Sequence, residues 1–232
     1  AESPDTGKTW NPTYNIKKIV RNTFTGTVDI DYHTIGLQFA KDSLHGIYTS
    51  MYEENGKFVN KILYTSDGGS VWKSSELILN ESDKIVNTTW RDEETAFITV
   101  YNTISNRLSI YRSNDKGINW SVVTTDALVQ EISQDATIYM AFVNSQLGYI
   151  FAKGAYCVTK DGGETWSAEK LGINPVHLFQ FANGHIILTV ENQINKTLDC
   201  CRIINMYDGG NSVVAYYYAP QSMYDLGDGK VW

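Results

Sequence analysis

Aspartate recurs along the chain in one context that could carry chemistry. A hydroxyl residue stands two positions before it, a glycine two positions after it and a tryptophan five positions after it. The copies are SPDTGKTW (3–10), TSDGGSVW (65–72), SNDKGINW (113–120), TKDGGETW (159–166) and a weaker MYDGGNSV (206–213). Carboxylates of this kind hold Ca²⁺ in some proteins and act as acid and base in others. Each copy brings only one carboxylate, too few for a calcium site, so we expect no metal and no cofactor.

The residue types of the motif predict a turn that is closed by its own side chains. The glycine suits a backbone with positive φ, where a Cβ would clash. The aspartate can accept hydrogen bonds from backbone N–H groups of its own turn, and the tryptophan covers the turn at the start of the next strand. The residues assigned to this structural role are Asp5, Asp67, Asp115, Asp161, Asp208, Trp10, Trp72, Trp120 and Trp166.

The copies from Asp67 onward repeat about every 47 residues, and this period sets the architecture. A second signature precedes each copy: an aromatic residue that ends a strand, a short polar turn and another apolar strand. Those aromatic residues are Phe39, Trp90, Phe142 and Phe181. Each unit therefore contains four short strands, with the motif between the third and the fourth. Such a unit is typical of a β-propeller blade.

The repeated motif resembles the Asp box, also called the bacterial neuraminidase repeat. Asp boxes occur in sialidases, sortilin-type propellers, xyloglucan-active glycosidases and photosystem II assembly-factor propellers, and TKDGGETW (159–166) with its upstream segment is most similar to the last group. The resemblance implies that the boxes lie at the outer rim, away from the face that binds ligands. It also implies a secreted, periplasmic or cell-surface location.

The repeats predict a single all-β propeller domain over residues 1–232, with about five blades. Four complete units occupy about 34–79, 84–125, 136–170 and 176–219. Residues 1–33 and 220–232 remain. Either both termini build a composite fifth blade, which would remove exposed sheet edges, or the ring is incomplete and the chain is a fragment of a larger one.

Charge and composition limit the classes of partner that the chain can bind. The net charge of −7 and the absence of a basic run argue against nucleic acid. No apolar run approaches the ~20 residues of a membrane-spanning helix. The three cysteines do not form a disulfide framework. Together with the resemblance to Asp-box propellers, these exclusions predict a glycan or a protein as the ligand, bound by a non-catalytic module.

The face opposite the boxes is the predicted binding surface, because it carries the second turn of each blade and the connections between blades. Loops on a rigid scaffold are where binding residues concentrate. The candidate contacts are Glu53, Glu54, Asn102, Arg107, Lys153, Glu191, Asn192 and Gln193.

A sialidase-like glycoside hydrolase is the alternative hypothesis. The resemblance implies that such an enzyme needs three arginines from different blades, a Tyr–Glu pair and an acidic acid/base residue. The chain offers five arginines: Arg21, Arg91, Arg107, Arg112 and Arg202. The Phe/Tyr-Arg-Ile-Pro segment that such enzymes carry before the first box is missing, and no spacing identifies a catalytic pair of carboxylates.

Overall fold

A computed structural model describes residues 33–124, 138–152, 155–170, 175–180, 186–191, 200–207, 210–218, 225–227 and 230–231. Over these residues the regular structure consists of β-strands, with no helix. The strands are β1 (His33–Phe39), β2 (Gly46–Glu54), β3 (Lys57–Thr65), β4 (Lys73–Ser74), β5 (Asp83–Trp90), β6 (Ala96–Asn102), β7 (Arg107–Ser113), β8 (Ser121–Thr124), β9 (Tyr139–Phe142), β10 (Gly148–Ala152), β11 (Ala155–Thr159), β12 (Ser167–Lys170), β13 (Pro175–Gln180), β14 (Ile186–Glu191), β15 (Cys200–Tyr207), β16 (Gly210–Tyr218), β17 (Asp225–Gly227) and β18 (Lys230–Val231).

The strands β1–β16 form four sheets, and each sheet consists of four consecutive strands in antiparallel order. We call these sheets the first to fourth blades: β1–β4, β5–β8, β9–β12 and β13–β16. Their boundaries agree with the four repeat units predicted from the sequence. Strands β17 and β18 pair in a separate two-stranded sheet.

The first strand of each blade lies beside the first strand of the next. β1 neighbours β5, β5 neighbours β9 and β9 neighbours β13. Successive blades therefore pack face to face while their first strands converge. This is the radial arrangement of a β-propeller.

Strand β6 shows how a blade is buried on both faces. Successive side chains of a strand point to opposite faces. Ile98 and Val100 pack in a cluster shared with the first blade, whereas Phe97 and Tyr101 pack in a cluster shared with Phe142 of the third blade. Each of these four β6 side chains is at most 2% exposed. Full burial of one such side chain contributes roughly 1.5–3 kcal/mol, so contacts between blades are a main source of stability.

The predicted fifth blade lies mostly outside the described residues. Of the two terminal segments assigned to it, the structure describes only the start of β1 and the β17–β18 pair. Ring closure and the single domain over 1–232 therefore stay predictions.

Candidate functional site

Three boxes, 65–72, 113–120 and 159–166, lie between the third and fourth strands of the first three blades. In each, the hydroxyl of the first residue donates to the aspartate Oδ1 and accepts the N–H of the glycine four positions later. Oδ1 also accepts an N–H, from the residue four positions after the aspartate. The hydroxyl–carboxylate contacts are Thr65–Asp67 at 2.8 Å, Ser113–Asp115 at 2.8 Å and Thr159–Asp161 at 2.7 Å. The N–H donors to Oδ1 are those of Val71, Asn119 and Thr165, each at 2.9 Å.

The glycine of each box has the positive φ that its position predicts. The φ angles are 89° at Gly69, 88° at Gly117 and 93° at Gly163. The N–H groups of these glycines donate to the box hydroxyl at 3.0, 2.8 and 2.8 Å. The left-handed backbone turns this N–H inward, and a residue with a Cβ would be strained there.

These contacts hold the box carboxylates in the ionised form. Hydrogen bonds from the side chain and the N–H of Thr165 lower the pKa of Asp161 from 3.8 to about 2. The N–H of Val71 and the hydroxyl of Thr65 lower the pKa of Asp67. At Asp115, burial raises the pKa, but the hydrogen bonds from Asn119 and Ser113 outweigh it and lower it overall. A general acid needs a raised pKa, so these carboxylates are suited to structure.

Each box is also tied to the first turn of its own blade. In these turns an Asp or Asn side chain accepts two N–H groups, at Asp42, Asp92 and Asn144. A carbonyl of the same turn then accepts an N–H from the box. These bonds run from Gly68 to Leu44 at 2.9 Å, from Lys116 to Glu94 at 3.0 Å and from Gly162 to Gln146 at 2.8 Å.

The box tryptophans pack on the aromatic residues that end the first strands. The Trp72 ring meets Phe39 edge-on at 6.1 Å between centroids, and the Trp166 ring meets Phe142 edge-on at 6.0 Å. Trp120 packs against the cluster that contains Trp90. The two sequence signatures of the repeat therefore meet in space within one blade.

The second and third boxes also dock on the preceding blade, a contact that the sequence does not predict. In the second box, the carbonyls of Gly117 and Ile118 accept the Ser75 hydroxyl at 2.8 and 3.0 Å. A Cβ on Gly117 would lie 3.0 Å from Ile47 of the first blade. The boxes therefore connect blades as well as strands.

Two arginines of the second blade hold the third box in place. The Arg91 guanidinium donates to the Gly162 carbonyl at 2.8 Å, and Arg112 forms an ion pair with Glu164. A Cβ on Gly163 would lie 2.6 Å from Phe97. The third box therefore fits the second blade through both polar and steric contacts.

The fifth predicted box differs in its strands from the other three. β15 ends at Tyr207 and β16 begins at Gly210, and these two residues pair with each other. The connection is thus two residues long, whereas each of the three boxes described above separates its strands by seven residues. Asp208 lies outside the described residues, as do Asp5 and Trp10 of the first box.

The opposite end of the blades carries the second turns. Glu53 is exposed near the end of β2, and Glu54 ends that strand before a turn in which Asn55 and Gly56 have φ of 52° and 75°. Arg107 is exposed at the start of β7. Glu191 ends β14. Lys153, Asn192 and Gln193 lie outside the described residues.

Asn102 lies at the centre of a hydrogen-bond network at this end. Its Nδ2 donates to Asp83 Oδ1 at 2.7 Å and to Ser82 Oγ at 2.8 Å, and its Oδ1 accepts the N–H groups of Ile104 and Ser105 at 3.1 and 2.9 Å. Asp83, 4% exposed, was not among the predicted site residues. Asn102 thus fastens its turn to the connection between the first two blades.

The described residues contain neither a metal-binding cluster nor a membrane-spanning helix. Among them, no group of three or more His, Cys, Asp or Glu side chains could hold a metal ion. In the same part of the chain, no helix has the length and apolar character needed to cross a bilayer.

Comparisons with known proteins identify the architecture. No protein-family model and no curated protein matches the chain. A solved structure of YCF48 from Cyanidioschyzon merolae is 16% identical with a TM-score of 0.53, over 85% of this chain and 60% of that one. The NanB sialidase from Streptococcus pneumoniae is 12% identical with a TM-score of 0.56, over 84% and 50%. A GH74 xyloglucanase from Xanthomonas campestris is 15% identical with a TM-score of 0.52, over 78% and 30%.

These structures belong to the kinds of propeller that the repeats resemble, and they confirm the predicted all-β propeller fold. The chain spans between about a third and three fifths of their lengths. At these identities the likeness shows the fold alone.

Proposed function

We propose that the chain is a non-catalytic binding or assembly module that works outside the cytoplasm and uses the propeller face opposite the boxes. Its ligand is a glycan or a protein, and nucleic acid is not a partner. The location is a proposal drawn from the resemblance to extracytoplasmic Asp-box proteins. Both the binding function and the glycosidase alternative have counterparts among the similar structures. YCF48 bound to a D1 peptide is a counterpart of the first, and a sialidase and a xyloglucanase are counterparts of the second.

The proposal rests on the contacts that Arg91 and Arg112 make. A sialidase-like site needs three arginines directed at a substrate carboxylate. Arg91 contacts Gly162, Thr95 and Asp92, and Arg112 contacts Glu164. Both guanidinium groups therefore serve contacts at the box end, so a three-arginine site would need all of Arg21, Arg107 and Arg202. This requirement favours binding over glycoside hydrolysis.

The two ends of the blades also differ in how their polar groups are used. At the box end, the carboxylates accept hydrogen bonds within their own turns and the turns dock on neighbouring blades. At the opposite end, Glu53 and Arg107 are exposed, and Ile104 projects from the tip of its turn with 82% of its surface exposed. Ile104 lies in the turn before Arg107, and an exposed apolar side chain beside an exposed charged one suits recognition of a partner.

A matched pair of variants tests which end binds. The purified chain is applied to a glycan array and to a peptide array, and the bound features are measured again with Ile104→Arg and with Ser66→Arg, an exposed control in the first described box. We expect Ile104→Arg to lower binding at least tenfold and Ser66→Arg to leave it within twofold. Binding that is lost only with Ser66→Arg would reject the assigned face.

Hydrolysis is tested separately with a panel of fluorogenic glycosides. We expect no turnover above the buffer rate. Turnover that persists in an independently purified sample and is lost when exposed carboxylates such as Glu53 are neutralised would establish the glycosidase alternative.

A further inference from the structure

Three buried side-chain oxygens lie on the second blade without a hydrogen-bond partner. They are Asn87 Oδ1, Thr89 Oγ1 and Thr99 Oγ1. Thr89 is 1% exposed and Thr99 is fully buried. Buried hydroxyls and amides are nearly always hydrogen-bonded, to protein or to ordered water, so a group of three needs a physical explanation.

The strand register places these oxygens on one face. Asn87 lies directly opposite Thr99, and Thr89 lies opposite Phe97, two residues further along each strand. Residues that pair directly share a face, and so do residues two apart. Phe97 packs on the third blade, its ring stacked on Phe142 at 4.8 Å. The three oxygens therefore face the third blade.

At the boundary between the first and second blades, two buried hydroxyls form a hydrogen bond with each other. There Thr49 Oγ1 and Thr88 Oγ1 lie 3.1 Å apart in a buried hydrogen bond. Thr99 occupies the position of Thr49 in its blade, three residues after the start of the second strand. Met140 occupies the position of Thr88, two residues before the aromatic end of the first strand. A thioether cannot donate a hydrogen bond and accepts only weakly, so the repeat loses this bond between the second and third blades.

We propose that an ordered internal water site lies between the second and third blades, held by Asn87, Thr89 and Thr99. A water molecule has two protons to donate and two lone pairs to accept. It donates to Asn87 Oδ1 and exchanges hydrogen bonds with the two hydroxyls. Opposed Cβ atoms in a sheet are ~5 Å apart and diagonal ones ~7–8 Å, separations that one or two waters bridge.

An isosteric substitution distinguishes a hydrated site from a dry one, because the melting temperature should fall in the first case and rise or stay unchanged in the second. Val has the shape of Thr without the hydroxyl. If water is bound, Thr99→Val breaks its hydrogen bonds and lowers the melting temperature by about 2–4 °C. If the oxygens are dry, the same change removes an unsatisfied polar group and raises the melting temperature or leaves it unchanged, which would overturn the proposal. Thr49→Val, which breaks the Thr49–Thr88 bond, is the positive control.

Two further measurements keep the test decisive. Because Thr89 and Thr99 share the water, the Thr89→Val/Thr99→Val double variant should lose less than the sum of the single losses, whereas additive losses would contradict a shared site. In a high-resolution crystal structure of the unmodified chain, we expect solvent density within hydrogen-bond distance of at least two of the three oxygens. Absence of that density would reject the site even if the variants fail to fold.

Discussion

Arg91 of the second blade donates from Nη1 to the backbone carbonyl of Gly162 in the third box at 2.8 Å. The same guanidinium donates to Thr95 Oγ1 at 2.8 Å and to Asp92 Oδ2 at 2.7 Å, and the Arg91 side chain is only 20% exposed. One side chain therefore ties together the first turn of its own blade and the box of the next. The third box is local in sequence, but through this contact it also connects two blades.

Removal of this arginine should weaken the contact between the second blade and the third box. Hydrogen bonds that involve a charged group contribute about 1.5–3 kcal/mol each, and some of the lost bonds are replaced by water. We expect Arg91→Ala to lower the free energy of unfolding by about 2–3 kcal/mol in urea denaturation. Arg91→Lys should restore little of it, because an ammonium group lacks the planar fork. Lys160→Ala, at an exposed position within the same box, is the control and should change stability by less than about 0.5 kcal/mol. Full stability of Arg91→Lys would mean that charge alone holds the contact.

A pair of glycine variants separates backbone strain from close packing. Gly56 and Gly163 both have positive φ, 75° and 93°. A Cβ on Gly56 would meet no atom within 4 Å, whereas a Cβ on Gly163 would lie 2.6 Å from Phe97 Cζ. Gly56→Ala should cost only the strain of a left-handed backbone, about 1–2 kcal/mol. Gly163→Ala adds overpacking of about 1–3 kcal/mol.

The measurement for this pair is the free energy of unfolding, with the circular dichroism spectrum as a check that each variant folds. Gly163→Ala should be the less stable by at least about 1 kcal/mol. Equal losses would show that the third box moves away from the second blade without cost, and the docking described above would then contribute little.

The sequence predicts the blades because the signals are local. Each repeat carries its own apolar strands, its own turn residues and its own aromatic pair, such as Phe142 and Trp166, within about 47 residues. Hydrogen bonds inside the box involve residues two to four positions apart, so residue types alone indicate them. The four strand sets and the positive φ of Gly69, Gly117 and Gly163 follow from that.

Contacts between blades cannot be inferred in the same way. Arg91 and Gly162 are 71 positions apart, and Ser75 and Trp120 are 45 positions apart. No feature near Arg91 distinguishes it from an exposed turn residue. Asn102 shows the same limit at the opposite end: its hydrogen bond to Asp83, 19 positions away, is not indicated by the sequence. Its ligand contact stays a prediction.

Acid should weaken the third box through Asp161. The folded-state pKa of this carboxyl, about 2, lies below its ordinary value of 3.8. A carboxyl with a depressed pKa contributes stability that is complete above the unfolded-state pKa and is lost as the pH falls toward the folded-state value. We expect unfolding free energies measured from pH 6 down to pH 2 to fall most steeply below about pH 4.

Asp161→Asn tests that assignment. The amide keeps an acceptor oxygen for the N–H of Thr165 but has no proton to gain in this range. The variant should be less stable than the unmodified chain at pH 6, and its stability should fall less between pH 4 and pH 2. Parallel pH profiles for the two proteins would show that other carboxyls dominate the acid response.

The indole N–H groups of two box tryptophans differ in their hydrogen-bond partners. The Trp→Phe substitution should therefore lower stability by different amounts at the two positions. Trp120 Nε1 donates to Ser75 Oγ at 2.6 Å and to the Gly117 carbonyl at 3.1 Å, whereas Trp166 Nε1 is buried without a partner. The sequence explains the contrast, because Val123 follows the second box where Ser75 follows the first. Each Trp→Phe change removes apolar surface, but only Trp120→Phe also breaks a hydrogen bond across a blade boundary, the one to Ser75.

The expected difference comes from that N–H group. We expect Trp120→Phe to lose about 1–2 kcal/mol more unfolding free energy than Trp166→Phe, measured by urea denaturation followed by circular dichroism. Ser75→Ala should reproduce part of the Trp120→Phe loss and should add little to it in the double variant, because both changes break the same contact. If Trp166→Phe is the more costly, packing of the larger ring outweighs the hydrogen bond, and the indole N–H of Trp120 is not a principal link between the first two blades.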